Sequence, residues 1–433
     1  MKSSDLKTVI LDQNKIELEP GVIAREKYST LSDWQNDPNI IIISGLRRCG
    51  KSTLQHQQRE LYDGYYLNFD DERLVSFTID DFQQLDELFH ELFGDKNIYY
   101  FDEIQNIEGW ERFIRRLHDA RKKIYITGSN ARLLSKELGT HLTGRYLQCN
   151  LFPFSFKEFL IFKNTQYKIE DFYTTEGKAK LKRAFNAYFT LGGLPEYLKT
   201  ENREYVKTLY ESILYRDVLV RYNISNEKAM KELMLFVLSN VSKQISYNSL
   251  KNVLRLKNST TVKDYFSYLE NCYLVSLVSK FSYSLKENIY ANKKVYVIDN
   301  SFPTILGFRF SDDLGRLLEN LVLIELKRRN KEIYYYQEKQ ECDFVIREGT
   351  KIKQALQVCY EISDENRTRE YDGLLEAMDA FQLSAGLILT YDQEDDETID
   401  DKKVSIRPVW KWLLDAVSTE RGAAKLHTKN KLN

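Results

Sequence analysis

Asn39-Ile40-Ile41-Ile42-Ile43-Ser44-Gly45-Leu46-Arg47-Arg48-Cys49-Gly50-Lys51-Ser52 is the stretch on which the fold turns. Its first half is a short β-branched run closed by glycine, the pattern of a strand buried in a parallel sheet. Its second half satisfies G-x-x-x-x-G-K-[ST] at every position. The two glycines let backbone N–H groups wrap closely around a polyphosphate. A helix that starts near Gly50 points the positive end of its dipole at the same place. Lys51 is expected to reach the β- and γ-phosphates, and the Ser52 hydroxyl to ligate Mg²⁺. The expected nucleotide-binding residues are Gly45, Leu46, Arg47, Arg48, Cys49, Gly50, Lys51, Ser52 and Thr53.

Two further apolar runs, Ile98–Phe101 and Lys123–Thr127, repeat the strand pattern. Helical periodicity fills Lys51–Tyr62, Phe82–Phe93 and Trp110–Arg121, so strands alternate with helices and a parallel α/β sheet is expected. The second run ends in Asp102-Glu103. Asp102 is placed to order the metal with Ser52, and Glu103 to polarise an attacking water as general base. An adjacent Asp-Glu pair favours hydrolysis, because a kinase must keep water out. No N-K-x-D guanine motif is present, so ATP is the expected nucleotide. The third run ends in Thr127-Gly128-Ser129-Asn130. Asn130, and second to it Ser129, would sense the γ-phosphate; the alternative is an N-cap for a helix Ala131–Leu138. Arg145, after Gly144, is read either as an arginine offered to the γ-phosphate or as a surface salt bridge.

The 433 residues suffice for two to four domains, and 42% hydrophobic with 29% charged residues fits globular proteins. A net charge of −1 excludes an all-over basic coat, though not a local basic face. No apolar run approaches a membrane span or a signal peptide. The five cysteines are scattered, without a C-x-x-C pair, so neither a disulfide framework nor a Cys-rich zinc site is expected, and a reducing cytoplasm is the simplest location. Pro20-Gly21 is a turn signal, and from about residue 155 helical patterns dominate, broken at Gly192-Gly193-Leu194-Pro195. The acidic run 392–401 reads as a solvated loop.

Residues 243–294 carry nine basic and three acidic residues, a net of +6 in a chain of net −1. Tyr247–Leu256 and Ser259–Asn271 read as helices around the turn Lys257-Asn258-Ser259, followed by β-runs at Tyr273–Tyr283 and Lys293–Ile298. That is a helix–turn–helix with a wing, whose second helix could enter a DNA groove or serve only for packing and protein contact.

The set G-x-R-R-x-G-K-S, F-D-E-I-Q with Gly109-Trp110, T-G-S-N, Gly144-Arg145 and Phe152-Pro153-Phe154-Ser155-Phe156 with Glu158-Phe159 resembles prokaryotic AAA-type ATPases. Gly192-Gly193-Leu194-Pro195-Glu196 and Tyr215-Arg216-Asp217 look like that family's helical lid. The resemblance implies a P-loop ATPase core over residues 1–160, a helical lid over 161–230, a winged helix over 231–305 and an α/β restriction-nuclease-like domain over 306–415, with a tail at 416–433. A nuclease of that kind needs a helix acid, then D-x(n)-[DE]-x-K on adjoining strands. Glu319 and Asp343 fill the first two places, but Gln357 and Cys359 stand where acid and lysine belong; Glu361, two residues on and facing the same side, is a candidate substitute for the acid. An inactive block is therefore expected. The functional expectation is a Mg²⁺-dependent ATP hydrolase that moves its attached domains on DNA, assembling as a homo-oligomeric ring and without a membrane. The alternative is a slow nucleotide-controlled switch that binds a protein partner.

Overall fold

The computed structural model describes residues 1–16, 18–19, 21–130, 142, 144–308 and 313–415. Pro20 of the expected turn, the expected helix Ala131–Leu138 and the tail 416–433 lie outside the described residues.

The first sheet holds β1 (Ile40–Gly45), β2 (Tyr65–Asn68), β3 (Ile98–Asp102), β4 (Lys123–Gly128) and β5 (Tyr146–Leu151). Its order is β2-β3-β4-β1-β5, and each pairing is parallel. Every residue of β1 is buried, which explains why it reads as unbroken isoleucine rather than as an alternation. Parallel strands bring all their carboxyl ends to one edge. Ser44 is opposite Gly128, and Phe101 opposite Ile126, so the residues following β1, β3 and β4 meet there. Helices Phe82–Phe93 and Trp110–Asp119 pack on one face, with the Phe82 and Phe113 rings stacked at 4.5 Å. Ring pairs of this kind add ~0.5–1.5 kcal/mol to the burial of their area.

Helix Phe156–Phe162 is fixed by a capping box in which Ser155 and Glu158 bond each other's backbone N–H groups. Helix Thr175–Leu191 ends at Gly192, φ +75°, where a Cβ would sit 1.9 Å from the Asp299 carboxylate. Helix Arg203–Ser212 continues as a π-helix, Ile213–Val220. Helix Glu227–Ser239 follows.

Helices Tyr247–Val253 and Ser259–Asn271 precede a small antiparallel sheet, β6 (Gln244–Ile245), β8 (Lys293–Val297) and β7 (Val275–Ser279), in the order β6-β8-β7. The β-run expected to reach Tyr283 stops at Ser279. Ser284 instead caps a short helix, Leu285–Tyr290, by accepting from the Glu287 N–H.

Helix Leu314–Arg328, buried on nearly all sides, leads into a six-stranded sheet. Its strands are β9 (Glu332–Gln337), β10 (Glu341–Glu348), β11 (Lys351–Val358), β12 (Ala385–Thr390), β13 (Asp395–Ile399) and β14 (Lys402–Pro408), in the order β13-β14-β12-β11-β10-β9. Helix Arg367–Phe381 covers it. The acidic run is a loop only at its ends: Asp395–Ile399 is an edge strand antiparallel to β14. Two of its charges are paired, Asp396 with Arg407 at 3.1 Å and Glu397 with Arg367. A charged edge strand also resists pairing with another sheet. A parallel bridge between Lys280 and Tyr335 joins the small sheet to the six-stranded one.

Candidate nucleotide-binding site

The loop after β1 owes its shape to one close approach and two left-handed residues. A Cβ on Gly45 would lie 2.1 Å from the Leu151 carbonyl oxygen of β5. Arg48 and Gly50 take φ +65° and +99°, the positive-φ geometry that turns consecutive N–H groups toward one point. Helix Lys51–Leu61 starts there. Beneath the loop lies Arg25, which sequence reasoning missed. Its buried guanidinium donates to the Cys49 carbonyl at 2.7 Å, the Phe152 carbonyl at 2.7 Å and Glu158 at 2.9 Å. Nothing in the spacing around Arg25 announces it; only the partners supplied by the fold do.

Lys51 donates to the Leu46 carbonyl at 3.1 Å and stands 3.6 Å from Glu103. Asp102 is fully buried, accepts from Thr127 and from Tyr66, and hydrogen-bonds Ser52. The hydroxyl and the carboxylate that would hold Mg²⁺ thus lie side by side, as the donor set of a hard cation requires. Burial, then the neighbouring Glu103, pushes the Asp102 carboxyl above its ordinary value. Burial pushes Glu103 up as well, but Lys51 and Arg47 overcome it and hold that carboxyl below its ordinary value. Glu103 is consequently ionised at neutral pH, the state a general base needs. It sits in the left-handed region at φ +50°, with its N–H on the Thr127 hydroxyl at 3.1 Å. Backbone strain of this kind is typically held at functional positions.

Of the two sensor candidates, Ser129 donates to Glu103 Oε2 at 3.2 Å. Asn130 donates to the Tyr222 hydroxyl at 3.3 Å, and neither of the two lines the cavity described next. Arg145 lies away from both. Its carbonyl accepts from the Ile40 N–H at 2.9 Å, which puts it at the amino ends of the strands. The length of β1, ~17 Å, separates it from the loop of its own chain. Asp119 takes its guanidinium at 2.8 Å, the salt-bridge alternative.

A cavity of ≈ 400 Å³ opens beside the loop. Arg47, Lys51, Ser52, Thr53, Asp102 and Glu103 line it. Val22, Ile23, Phe154, Phe162 and Pro195 are apolar members of the same lining. Arg47 also reaches across to the π-helix, donating to Asp217 at 3.1 Å, and Asp217 is 1% exposed.

The acids singled out near the C-terminus also come together. Glu319 from helix Leu314–Arg328 and Asp343 from β10 face one buried point. Gln357 does not face it as a ligand; its amide accepts from the Asp343 N–H at 3.2 Å and donates to Glu370 at 2.7 Å. Cys359 is a buried thiol, pushed up by its surroundings, and Glu361 is exposed beyond the end of β11. The ammonium at the point itself belongs to Lys294, which arrives from β8. The tally of basic residues in 243–294 therefore overstates the positive surface: Lys294 is buried, and Lys280 is paired with Glu338.

A profile described as an AAA domain matches residues 37–160. Two described as domains of unknown function, DUF8612 and DUF4143, match 182–309 and 314–412. The chain is 37% identical over 429 residues to "Uncharacterized protein MJ1544" of Methanocaldococcus jannaschii, covering 94% of each. The chain belongs to the MJ1544 family. A Haemophilus influenzae member of similar build, also named an uncharacterized protein, is 30% identical over 383 residues, covering 84% of this chain and 92% of its own length. An S. cerevisiae Hsp104:casein complex aligns over 64% of the chain and 54% of its own at 15% identity, with a TM-score of 0.32, too slight a likeness to carry an argument. In this member of the MJ1544 family the AAA domain carries the P-loop of a nucleotide-binding ATPase.

Proposed function

We propose that the chain is a Mg²⁺-dependent ATP hydrolase whose nucleotide cycle moves the segments after residue 160. One observation carries the reading: ionised Glu103 stands 3.6 Å from Lys51, beside a Ser52–Asp102 pair suited to a hard cation. Lys51 and Arg47 would bind the phosphates, and Ser52 with Asp102 would hold Mg²⁺, which supplies charge neutralisation when bound. Glu103 would accept a proton from the lytic water, and Ser129 would hold Glu103 in place. The apolar lining at Ile23, Phe154 and Phe162 suits a purine base. The Arg47–Asp217 pair supports a mechanical link: a γ-phosphate that draws Arg47 away leaves buried Asp217 with Arg221 alone, at 3.4 Å, so the π-helix responds.

Two helices followed by antiparallel β7 and β8 support a winged-helix reading, with Arg255, Lys257 and Lys263 exposed for phosphate contact on DNA. The exposed residues Leu285, Ile289 and Tyr290 on the intervening helix, with Tyr283 just before it, favour the second reading, a switch that grips a protein partner. The test is ATP turnover by the parent and by Glu103→Gln, with and without single- and double-stranded DNA. Glu103→Gln is expected to retain ATP and to lose ~10²–10⁴ in kcat. A loss below about twofold would remove Glu103 as the base. Stimulation by DNA supports the first reading, and its absence the second.

A further inference from the structure

Lys294 is 2% exposed. Its Nζ lies 2.7 Å from Asp343 Oδ1, 2.7 Å from Glu341 Oε1 and 2.9 Å from Glu319 Oε1. An ammonium has three N–H donors and no acceptor; it donates to Asp343 and Glu319, and the Glu341 carboxylate completes the set as a close ion pair. The rest of the pocket is arranged around that match. Tyr296 donates to Glu319 Oε1 at 2.6 Å. The second oxygen of Asp343 accepts from the Val358 N–H at 2.9 Å. The acids come from helix Leu314–Arg328 and from β10, whereas the lysine comes from β8 of another sheet. A buried acidic cluster without a cation would be strongly unstable. Among the described residues no group of three or more His, Cys, Asp or Glu side chains is set to hold a metal ion.

We propose that Lys294 is the resident cation of this pocket: its ammonium holds the point shared by Glu319, Glu341 and Asp343, and keeps a divalent cation out. The acids are hard oxygen donors of the kind that bind Mg²⁺, Mn²⁺ or Ca²⁺. A divalent ion would have to displace a cation that the fold already holds at the point. Removing the side chain uncovers a divalent-cation site. The proposal is independent of the ATPase reading, and its test is run without nucleotide, so that no phosphate brings metal to the P-loop.

Mn²⁺ binding to the full chain is followed by electron paramagnetic resonance for the parent, Asp343→Asn, Lys294→Met and Lys294→Met/Asp343→Asn. Lys294→Met is expected to gain one Mn²⁺ site at least about tenfold tighter than any in the parent, and the double variant to lose it. A parent site that Asp343→Asn abolishes would overturn the proposal. So would a Lys294→Met protein with the parent's near-UV circular dichroism and no gained site. Should Lys294→Met not fold, the parent decides. Acetic anhydride labelling read by mass spectrometry is expected to modify Lys294 about 100-fold more slowly than exposed Lys257, with or without Mn²⁺. Labelling of Lys294 that Mn²⁺ accelerates would show the ion displacing the ammonium, and would end the proposal.

Discussion

Gly45 has no room for a side chain, and that single fact ties the loop to β5. Gly45→Ala would drive a methyl into the Leu151 carbonyl at 2.1 Å, in a strand buried on both faces. We expect a loss on the order of 3 kcal/mol, seen as a lower denaturant midpoint at unchanged slope. Lys51→Ala leaves the fold intact, because its contacts are one carbonyl and one carboxylate at the mouth of the cavity. It should weaken binding of a fluorescent ATP analogue by about tenfold or more, the scale of a lost charge-assisted contact. Unchanged affinity would remove Lys51 from phosphate binding. These residues were legible in advance because a phosphate loop is local: every part lies within eight consecutive positions. Arg25, Asp217 and Lys294 were not. Each is defined by a partner more than 20 residues away, and an isolated charge in a sequence looks alike whether it ends in water or in a core.

At the scale of the element, the helix after the loop carries a group with a pH signature. His56 packs against Tyr66 at 4.7 Å between ring centres. Burial, helped by Arg59, lowers its imidazole to about 4. The folded protein therefore refuses a proton that the unfolded chain accepts below about 6.5, so stability is full above that value and falls as pH drops toward 4. At pH 5 the loss is ~2 kcal/mol. Thermal melts of His56→Gln should be flatter than the parent's between pH 6.5 and 4.5. An unchanged slope would assign the acid sensitivity to other groups. Periodicity found this helix, and the buried strands β1, β3 and β4, within a residue or two. It failed at Asp395–Ile399 and at Leu285–Tyr290. In the first, paired charges look like solvated ones. In the second, a six-residue helix set by a serine cap lies between two β-runs and is too short to show a period.

For the whole molecule, the uneven distribution of charge matters more than the net of −1. With Lys294 and Lys280 spent on acids, Arg255, Lys257 and Lys263 remain as exposed positive charge around helix Ser259–Asn271. Reversing Lys257 and Lys263 to Glu should weaken DNA binding at low salt and flatten the log–log salt dependence by about one per lost phosphate contact. DNA binding identical to the parent's would move the contact surface elsewhere. The succession of a strand–helix alternation, a helical stretch and a second α/β block was legible in the sequence, since each changes its periodicity. How they lock together was not, because no local pattern encodes which sheet will meet which.

That locking has a consequence for how the chain comes apart. Phe281 donates to the Tyr335 carbonyl at 2.7 Å, Tyr335 donates to the Asn292 carbonyl, and Gln244 reaches Gln337 and Glu341. The small sheet and the six-stranded sheet thus share backbone hydrogen bonds as well as a buried ion cluster. A protease cutting between them would nick the chain without releasing either half. The two sheets would stay together as one fragment and melt as a single cooperative unit, although the sequence divides them at a helix–sheet junction.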